Sequence, residues 1–325
     1  MEHRTPCCRE KLQEQKEYSM DIQIDSTLAG KTIREVLQRE LGYSANLIKK
    51  LKFSENGITV NGQWQTVRFV LSAGDTLSLR VEDTAEDVSP YTIPVELPIE
   101  VVFEDAWVTV VNKPPHMPAH PSLGHKLDTV SNALAWRYRD THYVFRPVNR
   151  LDRDTSGCML TANTRDASYK MYTAMTTGQI HKTYLAVLDG VPTEKEGTLT
   201  SYMHREEGSI IRREETTPDA PDAKLAITEY RILWENGSQS IVEASPITGR
   251  THQLRVQFAG IGCPITGDDL YGNPSAHIRR HALHAWQTRF PHPADGREIV
   301  VTAPLPADMA ALVESIGGKI IGETV

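Results

Sequence analysis

The sequence lacks the features that would place it in a membrane, a secretory pathway or a disulfide-stabilised class. No run approaches the roughly 18 consecutive apolar residues of a membrane-spanning helix. Residues 1–18 are charged and have no apolar region of the kind found in secretory signals. The four cysteines show no CxxC spacing, and Cys7 and Cys8 are neighbours that cannot form a disulfide framework. These absences predict a cytoplasmic protein in a reducing compartment.

The sequence also lacks an excess of basic residues. Its net charge of −7 argues against a protein that coats nucleic acid by charge alone, although a local basic face is still compatible with it. With 39% apolar and 24% charged residues, and no low-complexity run, the composition is that of an ordinary globular protein. A length of 325 residues predicts two domains.

The composition changes at three places along the chain, which gives four predicted regions. Residues 1–19 are polar and without periodicity, and we expect a disordered tail. Met20 opens the patterned part, and whether it is the natural start is an open question. Residues 20–82 have the pattern of a small domain, and residues 83–98 form a linker that is acidic and then proline-containing. Residues 99–325 form the second and larger domain.

The small domain is predicted to combine two short helices with strands that follow Asn-Gly turns. Ile33, Val36, Leu37 and Leu41 have helical spacing, and Gly42 and Ser44 supply the end of one helix and the start of the next. Two turns, at residues 56–57 and 61–62, lead into short strands. This α/β pattern resembles the S-four domain, an RNA-binding module. The resemblance implies that Lys49, Lys50 and Lys52 bind RNA phosphates, whereas three lysines alone would equally suit a solvated helix face.

The larger domain reads as strands that mostly follow one another, with helices interspersed irregularly. Strands are predicted at residues 101–105, 108–112, 181–188, 226–233 and 239–243, and helices at 127–138 (capped near Asp128), 166–176 and 307–315. Another helix opens in residues 248–259. The interval 204–222 is polar and suggests a long, mobile hairpin tip. This order predicts an α+β domain with a largely antiparallel mixed sheet.

The most informative segment is residues 146–157, which holds two carboxylates, three arginines and two hydroxyls before a glycine. The apolar Leu151 lies between Arg150 and Asp152, which predicts that this pair is held against a core. A neighbouring opposite charge favours the ionised form of a carboxylate, as a nucleophile or base requires. A structural ion pair at a turn explains the same residues.

Two other chemistries fit the sequence poorly. Asp152 and Asp154 could be the acid and base of a hydrolase, but arginines beside both favour ionisation of each carboxylate and leave no proton donor. Metal binding could use either of two histidine sets, the second of them spaced for one helical face: His116, His120 and His125, or His277, His281 and His284. Neither set comes with a cysteine pair or an HExxH glutamate, and we expect no metal.

Five motifs, in order, resemble those of the RluA-type pseudouridine synthase family. They are N-R-L-D-R-D-T-S-G at 149–157, K-T-Y at 182–184, G-R-T-H-Q-L-R at 249–255, G-D-D-L-Y-G at 267–272 and L-H-A at 283–285. The resemblance covers residues 101–305. Two departures are Asn149, where histidine is commoner, and Gln257, where the family has a histidine; the first bears on target choice.

The resemblance implies that the chain isomerises uridine to pseudouridine in RNA without a cofactor or a metal. It implies that Asp152 is the catalytic aspartate, that Tyr184 stacks on the base and that Arg255 pairs with the aspartate. Arg150 would fill the gap left by the flipped base, Leu283 would form an apolar wall, and Lys182 and Arg250 belong to substrate-binding motifs.

Individual residues have simpler interpretations as well. Tyr184 could be plain core, Arg255 could pair with a structural acid, and Arg250 or His252 could only orient the loop. Large-subunit ribosomal RNA is the first substrate expected, with transfer RNA as an alternative, and we expect a monomer. A non-catalytic RNA-binding or ribosome-assembly protein is the rival class. The intact set of Asp152, Tyr184 and Arg255 argues against it.

Overall fold

The computed structural model describes residues 19–41, 43, 45–80, 83 and 87–318. Its strands form two sheets, and each sheet has its own hydrophobic core. Of the predicted tail at 1–19, residues 1–18 lie outside these ranges, whereas Ser19 begins a strand. The predicted caps Gly42 and Ser44 and most of residues 81–86 also lie outside them. Within them, no helix has the length and apolarity needed to cross a membrane.

The N-terminal unit is a four-stranded antiparallel sheet with helices on one side. Its strands run in the order β1-β4-β2-β3. They are β1 (Ser19–Gln23), β2 (Ile58–Val60), β3 (Gln63–Trp64) and β4 (Thr76–Arg80). Helix α1 (Ile33–Glu35) continues as a π-helical segment (Val36–Glu40), and α2 (Ala45–Phe53) follows. Asn56 and Asn61 have φ near 50°, which is the left-handed conformation expected at the two Asn-Gly turns.

The larger unit is built on a ten-stranded sheet. Its order is β10-β9-β11-β12-β8-β13-β7-β6-β5, with β14 paired to β13. The strands are β5 (Glu100–Glu104), β6 (Val108–Lys113), β7 (Ser156–Ala162), β8 (His181–Asp189), β9 (Glu196–Arg205), β10 (Arg213–Thr216), β11 (Lys224–Glu235), β12 (Gln239–Pro246), β13 (Leu283–Pro291) and β14 (Glu298–Thr302).

Most strand pairs in this sheet are antiparallel, but β7 and β13 run parallel. The predicted fold class, α+β with a largely antiparallel mixed sheet and a small N-terminal domain, is confirmed. Four helices pack around the sheet: α3 (Val130–Arg137), α4 (Arg165–Thr176), α5 (Gln253–Gly260) and α6 (Ala307–Ser315). The cap predicted near Asp128 is the adjacent residue, since Thr129 caps α3 in a reciprocal pair with Asn132.

The two units are joined by contacts between α2, the linker and α4. Tyr43 packs edge-to-face against Tyr169, with ring centroids 5.3 Å apart. Lys50 forms an ion pair with Asp87, and the Arg165 guanidinium lies 2.6 Å from the same carboxylate. The linker is therefore tied to both units by charge through Asp87.

Candidate active site

The loop that carries Asp152 is fixed through its backbone. The Asp152 carbonyl accepts a hydrogen bond from the Thr155 N–H at 3.1 Å. The buried ammonium of Lys113 donates to the Arg153 carbonyl at 2.8 Å, and Arg280 donates to the Asp154 carbonyl at 3.0 Å. Two buried cations therefore hold the loop by its main chain, and the Asp152 side chain is not used for this purpose. Neither cation was singled out from the sequence.

Lys113 is one of the largest fully buried side chains among the described residues, and it ends strand β6. Besides Arg153, its ammonium donates to the carbonyls of Pro114 and Met117, both at 2.9 Å. Burial lowers the pKa of Lys113 to about 7, against the opposing effect of nearby carboxylates. A single lysine at the end of an apolar strand was the sequence signal for this role.

Gly157 lets the loop enter the sheet directly beside β13. Its φ is +108°, and a Cβ at this position would lie 2.2 Å from the Ala285 carbonyl oxygen. Ser156 and His284 are opposite each other in the parallel register. The start of β7 and the start of β13 therefore lie together, which brings Asp152 and Leu283 to the same edge of the sheet.

The structure brings Asp152, Tyr184 and Arg255 together. The Arg255 Nη1 lies 3.9 Å from Asp152 Oδ2, and the Asp152 side chain is 29% exposed. Tyr184, on β8, is buried, and burial followed by the negative charge of Asp152 raises the pKa of its hydroxyl. Leu151 is buried, as predicted, in one apolar cluster with Tyr184 and Leu283.

Arg255 has a stronger partner than Asp152. Its Nε and Nη2 each donate to Asp268 at 2.7 Å, in a buried bidentate pair. Burial opposes the charge on Arg255, but the hydrogen bonds and negative charge of Asp268, together with the charge of Asp152, outweigh it and raise the pKa of the guanidinium. Asp268 also accepts the N–H groups of Leu270 and Tyr271. Arg255 therefore pairs with a structural acid, as the simpler interpretation expected, and it also lies beside Asp152.

His252 and Tyr271 complete the surroundings of Asp152. His252 Nε2 lies 3.9 Å from Asp152 Oδ2, and its Nδ1 is 2.8 Å from the Tyr271 hydroxyl. His252 has a φ of 59° just before α5, which is uncommon for a residue other than glycine. Burial lowers its pKa. Sequence reasoning gave His252 only a loop-orienting role and gave Tyr271 none.

The neighbouring Asp154 has a different environment. It accepts hydrogen bonds from Arg153 and from His116, the latter at 2.7 Å. Burial opposes ionisation of Asp154, but these donors outweigh it and lower its pKa to about 2. Asp154 is therefore ionised at neutral pH, which agrees with the argument against an acid-base pair of carboxylates.

The predicted substrate-binding residues fall in several settings. Arg150 is exposed, and its charge adds to the effect of burial in lowering the pKa of His120. Lys182 is partly buried on β8, near Gly249, and burial lowers its pKa. Arg250 donates to the Leu225 carbonyl at 2.9 Å, a contact that orients its own loop. Leu283, which is buried, begins β13.

The three lysines of α2 are not equivalent. Lys49 and Lys52 are exposed, and the Lys52 ammonium lies 5.4 Å from the ring centroid of the exposed Phe53. Lys50 is engaged by Asp87 at the junction of the two units. Two of the three lysines therefore face solvent where a phosphate could reach them.

The expected helical face for His277, His281 and His284 is wrong. Residues 275–282 are not helical, and His284 lies in β13. His281 is hydrogen-bonded to Thr155 at 2.8 Å and His284 to Ser156 at 2.9 Å. Burial lowers the pKa of His281 to about 3 and that of His284 to about 4. Both are neutral residues that tie β13 to the catalytic loop. Among the described residues, no cluster of three His, Cys, Asp or Glu side chains could hold a metal ion.

The site thus consists of a partly exposed carboxylate beside a buried arginine and a buried tyrosine, on a mixed sheet of this strand order. The family described as RNA pseudouridylate synthase matches residues 108–260. The uncharacterized RNA pseudouridine synthase YjbO of Bacillus subtilis is 35% identical over 277 residues, which are 85% of this chain and 96% of that protein. The ribosomal large subunit pseudouridine synthase D of Pseudomonas aeruginosa is 32% identical, over 79% of this chain and 82% of that protein.

A solved structure has the same fold. The human RNA pseudouridylate synthase domain containing 4 superposes with a TM-score of 0.56, at 22% identity, over 68% of this chain and 94% of that one. The chain belongs to the RNA pseudouridine synthase family, of the RluA type. It is an isomerase that acts on RNA.

Proposed function

We propose that this enzyme converts specific uridines of large-subunit ribosomal RNA into pseudouridine, with Asp152 as its catalytic carboxylate. The observation that carries the proposal is the convergence of Asp152, Tyr184 and Arg255, which come from a loop, a strand and a helix. Asp152 is partly exposed and its loop is fixed through the backbone, so that the carboxylate remains available to a ribose.

The reaction conserves every atom of the nucleoside. The bond from ribose C1′ to uracil N1 breaks, the base turns while bound, and C1′ bonds to C5. The C5 proton is then lost and N1 gains one, so that no oxidant or reductant is consumed. Asp152 either attacks the sugar carbon or removes its 2′ proton, and both alternatives use the carboxylate that faces Arg255.

The base needs a platform while it turns. Tyr184 offers an aromatic ring close to Asp152, and stacking of a base on such a ring stabilises it by roughly 1–3 kcal/mol. Leu283, in the same buried cluster, would be the apolar wall. Arg150 is exposed beside the loop and would enter the stack that the flipped base has left. Lys182 and Arg250 would bind the RNA backbone, and Arg250 would also orient its own loop.

We also propose that the N-terminal unit is an S-four-like RNA-binding domain. The exposed Lys49 and Lys52 on α2 support this role, with Lys50 contributing where it is released from Asp87. A ribosomal substrate is supported by three relatives named ribosomal large subunit pseudouridine synthase D. We propose a cytoplasmic monomer that needs neither cofactor nor metal.

The test is to map pseudouridine across total RNA from cells with the gene, without it, and with the Asp152→Asn variant in its place. We expect defined sites in large-subunit ribosomal RNA to disappear in both of the latter strains. Sites lost from transfer RNA would instead assign the alternative substrate. Sites that persist with Asp152→Asn would contradict the role of the carboxylate and favour the non-catalytic alternative.

A further inference from the structure

The Tyr271 hydroxyl connects a hairpin on one side of the site to His252 on the other. The backbone N–H of Arg213, the first residue of β10, donates to Tyr271 Oη at 2.8 Å. The same oxygen lies 2.8 Å from His252 Nδ1. The Arg255 guanidinium lies over the Tyr271 ring, with its Cζ 5.1 Å from the ring centroid, and the His252 ring packs edge-to-face against the same ring. Tyr271 therefore touches both groups that face Asp152.

The direction of one of these hydrogen bonds is fixed, because a backbone N–H can only donate. With one lone pair of Tyr271 Oη taken by the Arg213 N–H, we assign the hydroxyl proton to His252 Nδ1. An imidazole that accepts at Nδ1 carries its proton on Nε2 when it is neutral. His252 is kept neutral by burial and by the charges of Arg255 and Arg213, against the carboxylates of Asp152 and Asp268. Its Nε2–H is thus on the side of Asp152.

We propose that His252 is a positioning residue for Asp152, and that Tyr271 and the β10 backbone fix the imidazole tautomer that makes this possible. The Nε2–H holds Oδ2 of the carboxylate and leaves Oδ1 for the ribose. The 3.9 Å separation must shorten by roughly 1 Å to form a hydrogen bond, as catalytic contacts do when a substrate is bound. The inference rests on the proposed role of Asp152.

A pair of substitutions separates this role from a merely structural one. Glutamine places an amide N–H near the position of Nε2, whereas asparagine reaches only to that of Nδ1. We expect kcat of His252→Gln to exceed that of His252→Asn by roughly 10- to 100-fold, with KM similar in both. The backbone works against this result, because asparagine tolerates the left-handed conformation at position 252 better than glutamine does. Equal loss in the two variants would overturn the proposal.

A second measurement reads the tautomer directly in the full-length enzyme. Histidine-selective ¹⁵N NMR should show one imidazole with a protonated Nε2 and an accepting Nδ1 that is absent from the His252→Asn spectrum. Tyr271→Phe should shift that signal toward a tautomer mixture and lower kcat in the same direction. A wild-type signal with the proton on Nδ1 would exclude the proposed tautomer and with it the positioning role of His252.

Asp152→Asn, assayed in parallel, distinguishes the two levels of the argument. If Asp152→Asn is inactive while His252→Asn is fully active, only the positioning role fails. If Asp152→Asn is active, the proposed function itself fails, although the tautomer is still measured independently by NMR.

Discussion

Two loops of the larger domain present an aspartate to Arg255, and the two carboxylates are in opposite situations. Asp268 is fully buried and receives two 2.7 Å hydrogen bonds from the guanidinium, together with two backbone N–H groups. Asp152 is 29% exposed and lies 3.9 Å from the remaining nitrogen. A carboxylate that accepts four hydrogen bonds is structural, while one that faces a cation without being bound is ready to react. Arg255 thus provides a fixed positive charge because Asp268 anchors it.

The largest effect should come from the exposed member of this comparison. We expect Asp152→Asn to lower kcat by more than roughly 10³-fold, because the amide cannot replace the carboxylate. Its free energy of unfolding should change by less than about 1 kcal/mol, since a 3.9 Å contact at a partly exposed site contributes little. Pseudouridine formation on a ribosomal stem-loop and thermal unfolding measure the two quantities. Asp154→Asn is the control and should keep kcat within about tenfold.

The opposite pattern is expected for the buried member. Asp268→Asn leaves the Arg255 guanidinium buried without its counter-charge, which typically costs about 3–5 kcal/mol. Thermal unfolding should therefore occur roughly 10 °C lower. Asp308→Asn is a matched control, because Asp308 also binds an arginine, Arg280, in a bidentate pair but is 36% exposed. A smaller loss of stability in Asp268→Asn than in Asp308→Asn would contradict the comparison.

The same contrast between an engaged and an exposed charge recurs on α2. Replacing Lys49 and Lys52 with glutamine should flatten the dependence of log Kd on log salt by roughly 0.7–0.9 for each lysine that contacts a phosphate. Lys50→Gln removes the ion pair with Asp87 and should change stability more than the salt slope. Filter-binding titrations at several salt concentrations measure the slopes. Equal slopes for Lys50→Gln and the double variant would remove the distinction drawn among the three lysines.

The smallest effect concerns pH and Asp154. Its pKa is about 2 in the folded protein and about 3.9 in an unfolded chain, so its stabilising contribution is fully present above the unfolded value. That contribution is lost as the pH falls from about 4 to about 2. After solvent screening it should amount to no more than about 1 kcal/mol. Urea unfolding of the wild type and Asp154→Asn at pH 6 and pH 2.5 measures it, and the difference between the two proteins should shrink at the lower pH.

The parts of this site that local sequence could predict are those whose chemistry is written in adjacent residues. The burial of Leu151 between Arg150 and Asp152 followed from its apolar character in a charged segment. Strand β8, helix α4 and the terminal helix α6 were predicted nearly to their ends. The ordered motifs were sufficient to suggest the family.

The unpredicted parts depend on pairings between distant segments. Nothing near Arg255 indicated that its guanidinium would form a bidentate pair with Asp268, because that pairing depends on how α5 packs on the sheet. Lys113 binds the carbonyls of Pro114 and Met117 in the loop that follows it, but its third partner, the Arg153 carbonyl, is brought to it only by the fold. The spacing of His277, His281 and His284 suggested a helix, but His281 and His284 instead bind Thr155 and Ser156 across the parallel strand pair.

That parallel pair has a consequence for how the enzyme becomes active as it folds. Ser156 and His284, whose side chains are hydrogen-bonded, are 128 residues apart in sequence. Closing so long a loop costs entropy before any contact repays it, so pairs of this kind tend to form slowly. Asp152 and Leu283 reach one another only when β7 and β13 are aligned. Recovery of activity after denaturation should therefore follow completion of the sheet. A nascent chain that has not yet reached β13 would carry four of the five motifs without a catalytic site.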